Sequence, residues 1–127
     1  MVPAPDQVYL QQRVLTASPE QQMALLMEAG QKFLGNAIRA MGKGEHISVG
    51  VALSRVAEIL NECIYRLNHR EGGELVANLM TIYDRWIKDL FEAQAHKDTS
   101  KLENMLAYMG ELRQTWEQLN KKNQESK

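Results

Sequence analysis

Apolar residues return every three or four positions along most of this chain, with polar residues between them. That period places them on one face of a helix. Four long stretches carry it. The first holds Met23, Leu26, Met27, Gly30, Phe33, Leu34, Ala37 and Met41; the second Val49, Leu53, Val56, Leu60, Cys63, Ile64 and Leu67. The third holds Leu75, Leu79, Ile82, Trp86 and Leu90; the fourth Leu102, Met105, Leu106, Met109, Leu112, Trp116 and Leu119. The two-residue alternation of a half-buried strand is absent. Proline occurs only at positions 3, 5 and 19, so nothing interrupts helices from Glu20 onward.

Punctuation residues set the expected boundaries. Ser18 can cap, Pro19 suits a first helical position, and Gln21 completes a capping box with Ser18. Gly42, Lys43 and Gly44 end the first long helix, and Ser48 is the cap expected for the second. Gly72 and Gly73 break the second, and the third runs from about Glu74 to Lys97. Asp98, Thr99 and Ser100 supply capping groups for the fourth. Before all of these, residues 8–15 form a short amphipathic piece bearing Tyr9, Leu10, Val14 and Leu15. It is too short to hold a helix alone, so it docks on the rest or stays disordered. Residues 1–7 and 121–127 are expected to be mobile. Short connections favour antiparallel neighbours. The expected fold is all-α: one domain over residues 1–127, an antiparallel four-helix bundle with a short N-terminal helical segment capping one end.

Charge and chemistry narrow the function by exclusion. Lys plus Arg is 15 and Asp plus Glu is 16, a formal net charge of −1. No basic stripe suits nucleic acid; the Lys121-Lys122 pair reads as a solvated helix end. No apolar run approaches the ~18 residues of a membrane span, and the first dozen residues lack the pattern of a signal peptide. The single cysteine, Cys63, falls on the apolar face and reads as a buried, inert thiol. His46, His69 and His96 lie singly at expected helix ends, without the Glu-x-x-His pairs of metal-binding bundles. Asp84 with Asp89, and Glu58 with Glu62, read as solvated faces. There is no Gly-x-Ser-x-Gly elbow and no phosphate-cradling loop. The expectation is a protein that is not an enzyme and has no cofactor and no metal. The seven methionines fit adaptable apolar surface as well as core.

The fragments also have a characteristic order. Tyr9 and Val14-Leu15-Thr16-Ala17-Ser18-Pro19 are followed by Leu25-Leu26 and Lys32-Phe33-Leu34. Glu71-Gly72-Gly73-Glu74-Leu75 leads into Asn78-Leu79 and Tyr83-Asp84, and Glu111-Leu112-Arg113 with Trp116 closes the series. In this the chain resembles the FliS family of flagellin export chaperones, over about residues 9–116. The resemblance implies a helical bundle whose N-terminal segment folds across one end. It implies a cytoplasmic protein that binds the disordered C-terminal segment of flagellin as helices in apolar grooves. Binding prevents premature polymerisation and delivers the subunit to the flagellar type III export apparatus. The partner-binding residues expected on this basis are Tyr9, Leu10, Val14, Leu26, Met27, Phe33, Leu75, Asn78, Leu79, Tyr83 and Trp86. Export gate components are a further partner class, and the chain is expected to be a monomer or weak homodimer. Two other readings stand beside this one: a self-associating structural bundle, and a diverged paralogue chaperoning another secreted protein. The second is motivated by Leu26-Met27-Glu28-Ala29, where the family often has Leu-Tyr-Asp-Gly.

Overall fold

Helix α2, Pro19–Gly42, is the staff on which the molecule is built. A computed structural model describes residues 5–68 and 72–125 and places five helices among them. α1 is Pro5–Thr16, α3 His46–Asn68, α4 Gly73–His96 and α5 Thr99–Glu125. α2 packs most extensively against α5 and α3, and α4 bridges α3 and α5 to close the ring. Pairings along the helices fix the directions. Ser18 meets Asn120 at one end of α2–α5, and Gly30 faces Met109 further along. Gln22 meets Arg66 and Gly30 faces Ile59 across α2–α3, and Gly50 faces Gln94 and Cys63 neighbours Tyr83 across α3–α4. Trp86 meets Tyr108 and Glu92 meets Lys101 across α4–α5. Every long neighbour is therefore antiparallel, as the short connections required. Twenty-four residues of α2 span about 36 Å at the helical rise.

The first boundary follows from local chemistry. Ser18 is extended, its hydroxyl oxygen accepts the Gln21 backbone N–H at 3.2 Å, and Pro19 opens the helix. The second differs from expectation. α3 starts at His46, not after Ser48, because Gly44 takes a φ of +72° and reverses the chain within three residues. The Glu45 carbonyl then accepts the Val49 N–H at 3.0 Å, so Glu45 stands at the cap position and Ser48 lies in the first turn. α4 ends at His96, with Lys97 left-handed at φ 53° as its C-cap. Asp98 caps α5: its Oδ1 accepts the Ser100 N–H at 3.0 Å and the Ser100 hydroxyl. α5 runs on to Glu125, so residues 121–125, expected to be mobile, continue the helix. His69, Glu71, residues 1–4 and residues 126–127, on which some expectations fell, lie outside the described residues.

The core runs the length of the bundle. Met27, Leu34, Val56, Leu60, Cys63, Tyr83, Leu102 and Met109 are fully enclosed. Gly30 lets α2 and α5 approach, for a Cβ there would sit 2.9 Å from the Met109 sulfur. The polar tips in this core are few. The Tyr83 hydroxyl is buried beside Trp116, and burial raises its pKa far above the ordinary value. Burial also pushes the Cys63 thiol far up, with the neighbouring Glu62 adding to the effect. Neither group ionises under ordinary conditions, and Cys63 behaves as the inert core residue its position predicted.

Candidate functional site

α1 turns back from Ala17 and lies along α2, over the seam between α2 and α3. Under it is a groove of about 390 Å³. Its apolar lining comes from Leu10, Val14 and Leu15 of α1, Leu26 and Phe33 of α2, and Ile59 of α3. Its polar wall is a stripe on α3: Arg55, Glu58, Glu62 and Arg66, spaced at three or four to share one face.

The two ends of α1 are held differently. At its C-terminal end the Gln22 side-chain amide donates to the Val14 carbonyl at 2.8 Å and to the Ala17 carbonyl at 3.3 Å. These bonds reinforce the end of α1, where the Val14 carbonyl also accepts the Ala17 N–H at 3.3 Å. The oxygen of Gln22 accepts from Arg66 Nη1 at 2.7 Å, and Arg66 Nε pairs with Glu62 at 3.0 Å. A relay thus runs from α3 through α2 into the end of α1. Further along, Arg13 approaches Glu28 only to 3.9 Å, and Gln7 donates to Glu58 at 3.5 Å. Contacts that long are weak. Apart from Val14, which is buried, and Leu10, which is half-buried, the large apolar residues of α1 are exposed: Val8, Tyr9 and Leu15, the last at the rim of the groove. Its attachment is a firm hinge at residues 14–17 and a lightly held arm.

The expected partner-binding residues separate into two groups. Leu10, Val14, Leu26 and Phe33 come together at the groove. Tyr9 does not join them: it is 62% exposed, with the Arg13 guanidinium 5.4 Å from its ring centre. Met27, one position from Leu26, points fully into the core. The α4 residues form a second group. Leu75 and Asn78 are exposed, whereas Leu79, Tyr83 and Trp86 are buried. The Trp86 ring sits 5.7 Å from Tyr83 on one side and 5.7 Å, edge-on, from the half-exposed Tyr108 on the other. In the free protein Met27, Leu79 and Tyr83 are therefore bundle core. Sequence reasoning missed Gln22, Ile59 and the α3 stripe. The stripe was readable as helix spacing, but nothing local marked it as a groove wall rather than a solvated face.

Nothing in this arrangement suits covalent chemistry. Among the described residues no three His, Cys, Asp or Glu side chains converge as metal ligands, and no helix is long and apolar enough to cross a membrane. What the arrangement offers is an apolar groove in a helical bundle, the kind of surface on which an amphipathic helix can lie.

Comparison with known proteins agrees. The family model described as flagellar protein FliS matches residues 1–123. The chain is 31% identical over 111 residues to the flagellar secretion chaperone FliSB of Pseudomonas aeruginosa, covering 87% of this chain and 88% of that one. It is 28% identical over 117 residues to the flagellar secretion chaperone FliS of Salmonella typhimurium, covering 91% and 87%. Against FliS of Bacillus subtilis the identity is 27% over 114 residues, covering 90% and 84%. The chain belongs to the FliS family of flagellar secretion chaperones, which are not enzymes.

Proposed function

We propose that this protein is a cytoplasmic export chaperone for flagellin. It holds the disordered C-terminal segment of flagellin as helices on its surface, prevents premature polymerisation, and delivers the subunit to the flagellar type III export apparatus. The observation that carries this reading is the groove between α2 and α3, whose apolar lining is completed by a short, lightly held helix of the chain itself. An amphipathic helix of the partner needs such a surface, with anchors at helical spacing. α1 supplies the same elements, Leu10 and Val14 four residues apart, and so stands in for the partner while the partner is absent. Leu26 and Phe33 form the floor that the partner helix then covers. Leu75 and Asn78, exposed at the start of α4, extend the binding surface to the far side of the bundle.

Titration calorimetry with a C-terminal flagellin fragment tests the reading. The expected result is saturable binding with a negative heat-capacity change, the mark of apolar burial. Absence of binding by a folded protein that instead runs as a stable oligomer in size-exclusion chromatography would overturn it in favour of a self-associating bundle.

A further inference from the structure

The stripe on α3 holds two oppositely charged couples. In one, Glu62 and Arg66 pair at 3.0 Å, and Arg66 also reaches Gln22. The other, Arg55 with Glu58, makes no ion pair among the described residues. Glu58 receives the long hydrogen bond from Gln7 of α1. Arg55 receives nothing: its Nη1 is enclosed by protein and has no hydrogen-bond partner. Arg55 lines the covered groove and also the shallow open pocket beside it that carries the exposed Ile47 and Val51. A guanidinium keeps its charge at every accessible pH. It cannot escape the cost of an enclosed, unmatched donor by losing its proton, so it is most stable when something brings it an oxygen. α1 answers the Glu58 half of this couple and leaves the Arg55 half open.

We infer that Arg55 is a specificity-determining residue of the groove and that the segment displacing α1 brings it a carboxylate. This rests on the reading of the groove as the flagellin site. The occupant is an amphipathic helix with apolar anchors where Leu10 and Val14 lie, a hydrogen-bond donor opposite Glu58, and an Asp or Glu about one turn away, opposite Arg55. That last group is what α1 lacks. A planar guanidinium and a carboxylate form paired, charge-assisted hydrogen bonds, stronger than the neutral contact of Gln7. The extra pair gives the partner an advantage over the resident helix without enlarging the apolar surface.

The test uses the full chain and the C-terminal flagellin fragment in titration calorimetry. Arg55→Gln weakens binding about tenfold or more, because it removes one member of an enclosed charge pair, and leaves the melting temperature nearly unchanged. Arg55→Lys recovers only part of the loss, since an ammonium lacks the planar fork. The charge reversal Arg55→Glu weakens binding further, and one Asp→Lys or Glu→Lys change in the fragment restores it. If the wild type binds the fragment and all three Arg55 variants bind it equally well, the inference fails while the proposed function stands. Loss of affinity that no charge change in the fragment repairs also overturns it. If the wild type does not bind, the reading of the groove itself has failed.

Discussion

At the scale of single residues, burial decides whether an apolar position serves the fold or the partner. Leu60 is fully enclosed in the middle of α3. Truncating it removes its contacts and leaves a cavity that close-packed neighbours fill only in part. Leu60→Ala should lower unfolding stability by about 2–5 kcal/mol in urea titration; a change within error would show that the site is not core. The periodic pattern placed Leu60 inside from sequence alone. It could not separate Leu26 from Met27, adjacent in the chain, one of which floors the groove while the other points to the bundle axis. A helical face is broad, and which part of it faces out depends on the neighbouring helices, which the pattern does not contain. Tyr83 shows the same thing. The family resemblance made it a contact for the partner, and in the free protein α4 is turned so that its side chain is fully buried.

At the scale of elements, boundaries set by a residue's own chemistry were legible, and boundaries set by chain reversal were not. Ser18 and Asp98 cap the helices that follow them because their side-chain oxygens reach backbone N–H groups two or three residues on. Ser48 has the same capacity but no chance to use it, since the left-handed Gly44 has already started α3. The end of α5 was missed for another reason: apolar periodicity stops at Leu119, but Lys121, Lys122, Gln124 and Glu125 favour helix, and Asn120 ties the helix to Ser18. The Asp98 cap has a pH signature. Hydrogen bonds from the Ser100 side chain and backbone, with Lys101 nearby, hold its carboxyl below the usual range. A carboxyl with a lowered folded pKa stabilises fully above its unfolded value, and the contribution is lost as pH falls through the folded value. Asp98→Ala should therefore melt at lower temperature than wild type at neutral pH, and the gap should close as the medium is taken into acid below the carboxylate range. Calorimetric melts across that range measure it; a gap independent of pH would mean that the ionised carboxylate is not what caps α5.

At the scale of the whole molecule, α1 and the partner compete for one surface, and the competition has a definite size. A twelve-residue helix is marginal in water, so α1 is helical because it is docked. Its docking rests on Val14 and Leu10 and on the Gln22 hydrogen bonds at residues 14–17, with less from the long Arg13–Glu28 contact. While α1 is closed the groove is unavailable, and the apparent affinity for the partner is reduced by the fraction of molecules that are open. Loosening α1 without altering the groove floor should then tighten binding while lowering stability, the reverse of what removing a direct contact does. Val14→Ser is the suitable change. Burial of a valine side chain contributes about 1.5–3 kcal/mol. Losing about 2 kcal/mol of that from the closed state would raise partner affinity by up to about thirtyfold, with a lower melting temperature in the free protein. Hydrogen exchange supplies the second readout. Amides of residues 7–13 should exchange faster when the flagellin fragment is bound, because the arm has left the groove, while those of 19–42 become better protected. Weaker binding in Val14→Ser, with α1 still protected in the complex, would mean that α1 is a wall of the site and stays in place while the partner binds elsewhere.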